Sequence, residues 1–222
     1  MMKKLIVAFS LVFILFGVAG CGKTINNHVE ENMSEITKDF YFGENDSFYA
    51  TLSVGERESS YLYNGQSTES VDFALLTLTF KNGSSLNTVE VVLNDGTNSY
   101  DVELMSDDMS VDFMADIVNL FSFGEAFTLS YNNENVELTR ISDEFGIDYQ
   151  EALNIACENL KEELESFKSY NNFNAECYLR VLREKENNFD NLYWCFTCLN
   201  YEGESFSIVF STADGEILAK SE

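Results

Sequence analysis

Proline is absent from the 222 residues, histidine and tryptophan occur once each, and basic residues are scarce. Each shortage removes a class of reading. With His28 the only histidine, a His-dependent triad and a two-histidine metal site are excluded. The sequence has no Gly-x-Ser-x-Gly, no Ser-x-x-Lys and no phosphate-binding glycine loop, and Lys23-Thr24 lacks the preceding glycines such a loop needs. Thirteen Lys and Arg stand against 38 Asp and Glu, a net charge of -25. That surface repels nucleic acid and anionic lipid, so neither is an expected partner. It keeps the chain soluble and favours a cationic peptide, a basic protein face or divalent cations.

What is present argues for folded cores. A hydrophobic content of 45% with 14% aromatics is too rich for disorder. The length suits one large or two small domains. The mixture of Asn, Glu, Phe and Tyr without proline is the bias of an AT-rich genome.

The first residues read as an address. Lys3 and Lys4 form a short positive region, and residues 5–18 follow without a charge. That run is of signal-peptide length and short of the roughly 20 residues a spanning helix needs. It ends in Val18-Ala19-Gly20-Cys21. The small residues let the chain lie extended in a peptidase groove, with cysteine next after the cut. The segment resembles the bacterial lipobox. The resemblance implies a diacylglyceryl thioether on Cys21 and cleavage between Gly20 and Cys21. No twin arginine is present, so general secretion is the expected route. Residues 1–20 are thus expected as a cleaved signal peptide. Residues 21–45, with His28, Glu30, Glu31 and Asn32, are expected as a lipidated polar tether.

Residues 46–140 carry the period of strands. Candidates are 47–54, 60–63, 71–80, 88–93, 98–105, 126–131 and 136–139. Residues 71–80 are long and rich in β-branched and apolar side chains, which suits a central strand. Asn94-Asp95-Gly96 between two strand patterns is a hairpin signal, and Lys81-Asn82-Gly83 and Asn132-Asn133 are further turns. Residues 114–123 fit a short helix or a strand. Many closely spaced strands predict a β-sandwich-like domain.

The pattern changes at Asp148, an N-cap with Glu151 three residues on. Leu153, Ala156, Cys157, Leu160, Leu164 and Phe167 form one helical stripe running to about Ser169, and Asn171-Asn172 ends it. Strands are expected at 175–183, 192–201, 204–211 and 216–219, with turns at Glu202-Gly203 and Asp214-Gly215. One helix on an antiparallel sheet is an α+β arrangement. The expected fold class is therefore α+β: an all-β sandwich-like domain, then a domain at 147–222 with its helix packed on a sheet. That second part resembles the PepSY domain and, more loosely, cystatin-like folds. The resemblance rests on Glu151-Ala152-Leu153 with Ala156, on Tyr193-Trp194-Cys195-Phe196, and on the ending from Phe210 to Leu218. It implies an extracytoplasmic inhibitory or regulatory role. Both parts together resemble a group of exported proteins of Gram-positive anaerobes, through residues 48–58, Asn64-Gly65 and Val71-Asp72-Phe73. That resemblance implies an address and no chemistry.

Four cysteines besides Cys21 lie in the C-terminal part: Cys157, Cys177, Cys195 and Cys198. Cys195 and Cys198 are three apart on a strand and point to opposite faces, a poor redox pair and a poor zinc site. The four are either small buried hydrophobes, or one disulfide joins two among Cys157, Cys177 and one of Cys195 and Cys198. Carboxylate pairs at Asp107-Asp108, Glu56/Glu58 and Glu202/Glu204 are what any acidic protein offers. The Asn94-Asn98 turn has oxygen donors without the later glutamate of a calcium loop. Tyr178, Tyr193 and Tyr201 are candidates for an open sheet face. No catalytic, metal or cofactor-binding residue is assigned, and no cofactor is expected. The expectation is a lipid-anchored extracytoplasmic module, facing outside the cytoplasm, that binds or regulates an envelope protein or peptide and is not an enzyme. A carboxylate-dependent cell-wall hydrolase and a solute-binding lipoprotein are the alternatives.

Overall fold

The computed structural model describes residues 23–59, 69–106, 112–118, 126–170, 172–183 and 191–221. The leader and Cys21, the expected strand at 60–63 and the Asp107-Asp108 pair lie outside them.

The described chain starts with a helix. Thr24 caps α1, Ile25–Glu31: its side chain accepts from the Asn27 amide while the Asn27 side chain accepts from the Thr24 amide. Ile25, His28 and Val29 turn inward and are buried. β1, Met33–Glu44, follows at once. The stretch expected as a tether therefore holds a helix and a long strand. His28, expected in the tether, is buried and stacked on Phe173 at 6.1 Å.

The next strands are β2 Phe48–Glu58, β3 Ser70–Phe80, β4 Thr88–Asn94, β5 Ser99–Ser106, β6 Asp112–Val118, β7 Ala126–Tyr131 and β8 Glu134–Arg140. Their order is β1-β2-β3-β6-β5-β4-β7-β8, and β8 returns to β1 through Arg140 opposite Tyr41 and Thr139 opposite Phe42. Eight strands thus close into a barrel. At this size inward side chains can fill the interior, and here Leu52, Leu76, Leu78, Leu93, Leu104 and Phe127 do so. β3 lies between β2 and β6, inside the sheet. Of residues 114–123, read as either helix or strand, 114–118 belong to strand β6, and 119–123 lie outside the described residues.

After the 3-10 turn Ser142–Glu144 come α2 Tyr149–Asn159 and α3 Lys161–Ser166. The Asp148 carboxylate accepts from the Gln150 and Glu151 amides at 2.9 and 2.8 Å, as an N-cap does. The expected single helix is broken at Leu160, whose backbone leaves helical geometry at φ -107°, ψ 19° while its side chain stays buried. Two-residue strands β9 Lys168–Ser169 and β10 Asn172–Phe173 make a small hairpin. Then β11 Ala175–Arg183, β12 Leu192–Asn200, β13 Ser205–Ser211 and β14 Ile217–Ser221 extend the same sheet as an antiparallel run. Trp194 ties this run to the segment that leads into α2: its indole donates to the Ile147 carbonyl at 2.9 Å, and its ring meets Phe145 edge-on.

The α+β expectation is overturned. The described chain is mostly strand, its main feature is a closed barrel with further strands attached, and its helices are small. The physical reason is β1. Its first part pairs in parallel with β11, at Met33, Glu35 and Ile36 opposite Cys177, Tyr178 and Leu179. A bulge between Thr37 and Asp39 re-aims the strand, and beyond it the same edge pairs with β8. One strand thus serves the barrel and the extension, and two hydrophobic cores lie along it. Glycine permits the crowding. A Cβ on Gly43 would sit 2.2 Å from the Glu137 carbonyl oxygen, and one on Gly55 would sit 1.9 Å from that of Ile36.

Candidate functional site

Where β1 parts from β11, a groove of about 510 Å³ forms against β2, β3 and β6. Thr37, Ser53, Leu75 and Val181 contribute to its lining. On one side Arg180 grips Glu35 with both arms, Nε to Oε1 at 2.6 Å and an Nη to Oε2 at 3.0 Å. On another, Arg57 pairs with Asp116 at 2.9 Å and lies 5.2 Å over the Phe73 ring. Arg183 stacks 4.1 Å over Tyr49 and donates to its hydroxyl at 2.9 Å. Guanidinium is suited to this because it forks onto carboxylates and stacks on rings. The result is a seam with paired charge of both signs and an apolar base.

A second groove, about 680 Å³, separates α1 and α2 from the ends of β1 and β2. Glu30, Glu31, Glu56 and Glu58 line it. Lys38 is ion-paired with Glu56 and sits 5.7 Å from the Tyr149 ring centre.

In this structure the four cysteines within the described residues are unbridged. Cys157, Cys177 and Cys198 share the core under α2. Cys177 and Cys198 stand directly opposite each other on β11 and β12, with their sulfurs 3.4 Å apart. Cys195 faces the other side, half-buried, near Thr197. Burial pushes the Cys157 thiol up to about 12, helped by Glu30. Cys177 is raised well above the usual thiol range by burial and then by Cys198, and Cys195 is raised by burial. In the folded protein these groups are poor nucleophiles.

The other expected residues are placed as follows. Tyr178 and Tyr193 lie on the β11–β12 face opposite Trp194, with Tyr178 donating to Glu176 at 2.8 Å and stacked by Arg180. Tyr201 sits in the turn after β12. Glu202 and Glu204 bracket a turn built on Asn200, whose side chain accepts from both their amides. Asp95 spends its carboxylate on its own turn, accepting from the Thr97 and Asn98 amides and from the Tyr100 hydroxyl. The Asn98 amide leads in holding that carboxyl down, to about 2. Asp214 is lowered by the Glu216 amide and Glu163 by Lys220. A general acid at neutral pH needs a carboxyl displaced upward, and these three move the other way. Among the described residues no group of three or more His, Cys, Asp and Glu is placed to hold a metal, and no described helix is long and apolar enough to cross a membrane.

The arginine seam escaped sequence reasoning because Glu35, Arg57, Asp116 and Arg180 are scattered along the chain. The one available signal was the rarity of cations in so acidic a protein. Compared with known proteins, the chain matches no family model, no curated protein and no solved structure.

Proposed function

We propose that this protein is an exported lipoprotein, acylated on Cys21 after cleavage at Gly20-Cys21, and that it acts outside the cytoplasm by binding an envelope protein or peptide. The observation that carries this reading is the closeness of the lipobox to the folded body. Thr24 already caps α1, and Val29 is buried in the core. From Cys21 to Lys23 the chain reaches at most about 7 Å. Acyl chains on Cys21 hold the body against the bilayer, at about 0.8 kcal/mol for each buried CH₂. The full sequence carries a net charge of -25, and cleavage removes Lys3 and Lys4 from it, so the protein depends on those chains and not on attraction to anionic lipid. The seam groove supplies the binding surface, since its charged groups are paired and its base is apolar.

Metabolic labelling with a fatty-acid analogue tests the anchor. The natural chain takes up label and sediments with membranes, whereas Cys21→Ser does neither. Label persisting in that variant would sink the reading. A photocrosslinking side chain at Ser53, in the seam, is expected to capture an envelope component that one at Glu103 does not. Equal capture at both positions would remove the seam from the proposal.

A further inference from the structure

We infer that Cys177 and Cys198 close a disulfide between β11 and β12 in the mature protein. The ladder sets the two residues directly opposite each other, inside a run of nine paired positions from Ala175–Asn200 to Arg183–Leu192. Directly opposed residues of an antiparallel pair have Cα atoms about 4.5–5.5 Å apart, within the roughly 4.4–6.8 Å that a disulfide spans. The sulfurs already touch at 3.4 Å, and both side chains point into one core, fully buried. Rotation about the side-chain bonds brings them to bonding distance while the backbone stays in register.

The geometry also selects this pair among the possible ones. Cys195 lies on the opposite face of β12, next to Arg180 across the ladder. Cys157 belongs to α2 and shares the same core, but it stands off the β11–β12 ladder that sets Cys177 and Cys198 face to face. On this inference the bond forms once β11 and β12 pair in register and before α2 covers them. That order matters, because in the finished fold burial keeps the Cys177 thiol protonated.

The oxidant is a disulfide, carried by a thiol oxidoreductase or a small molecule. One cysteine attacks as thiolate and takes one sulfur of the oxidant, releasing a thiol. The other then attacks that mixed disulfide and releases the second thiol. The protein loses two protons and two electrons, and the oxidant gains both as two thiols.

The test uses the full chain, unfolded and refolded with oxidised and reduced glutathione, then denatured in iodoacetamide without reductant. Peptide mapping is expected to find Cys157 and Cys195 alkylated, and Cys177 and Cys198 in one linked peptide that reductant separates. Alkylation at Cys177 and Cys198, or a link from either to Cys157, overturns the inference. A second measurement reads consequence. Dithiothreitol is expected to lower the urea midpoint of the refolded natural chain and to leave that of the Cys177→Ala/Cys198→Ala variant unchanged. An equal response in both overturns it as well. Neither measurement depends on the state of Cys21, so the inference and the lipoprotein reading fail separately.

Discussion

Phe40 and Tyr41 are neighbours on β1 and are buried in different cores: Phe40 with the helices and Trp194, Tyr41 inside the barrel against Phe127. Successive strand residues face opposite sides, and here both sides are interior. β1 is thus the wall shared by the two halves of the molecule.

Truncating either residue should damage its own half first. Phe40→Ala and Tyr41→Ala are each expected to cost about 3–5 kcal/mol in urea unfolding. Hydrogen exchange should separate them: Phe40→Ala loosens α1 and α2, and Tyr41→Ala loosens β7 and β8. Identical exchange patterns would mean that the two cores do not act separately.

Tyr41 should make the fold sensitive to alkali. Burial, and then Asp39, push its phenol up to about 12. A phenol held neutral in the fold contributes stability that is fully present below its unfolded pKa near 10 and is lost as pH rises through about 12. Stability should therefore fall over that interval, and Tyr41→Phe should flatten the fall. An unchanged profile in the variant would refute the assignment.

Asp95 predicts the opposite flank. Its carboxyl is held at about 2, so its contribution is present above the unfolded value of about 3.8 and fades as pH drops through 2. Asp95→Asn should remove that acid-dependent part, and amide exchange at Thr97 and Asn98 should quicken. Exchange at the natural rate would show that the turn holds without the carboxylate.

Gly55 and Gly43 should resist substitution. A methyl at either position meets a carbonyl oxygen of the facing strand. Alanine at each is expected to cost on the order of 1–3 kcal/mol, as overpacking does. Gly83→Ala serves as control for clash, since nothing lies within 4 Å of its Cβ position, and there only the strain of its φ of +74° is felt. Thermal unfolding that ranks Gly83→Ala as worse than both would contradict the crowding argument.

The Arg180–Glu35 pair is half-exposed on the arginine side. A double-mutant cycle to alanine should give a coupling of about 0.5–1 kcal/mol that weakens with salt. A coupling unaffected by salt would mean that packing, and not charge, joins the two.

Much of the local structure was legible because it is local. Residues 71–80 are a long run rich in β-branched and apolar side chains, which suits a strand, Asn94-Asp95-Gly96 demands a turn with positive φ, which Gly96 adopts at +86°, and Asp148 offers its carboxylate where helix amides need an acceptor. α1 was hidden because only Ile25 and Val29 mark its apolar side in a polar stretch. Its burial is decided by Phe173 and the stripe of α2, far along the chain. The seam was hidden for the same reason, because its ion pairs join residues 59 and 145 positions apart.

By itself the sequence determined the lipobox pattern at Cys21, the excess of negative charge, the strand periods and the cap at Asp148, since each rests on bonded neighbours or on composition. Only the tertiary structure decided that the strands close into a barrel and that β1 divides one edge between β8 and β11. Closure depends on twist accumulated over the whole sheet and on a bulge at Thr37 and Asp39, and no window of sequence contains either.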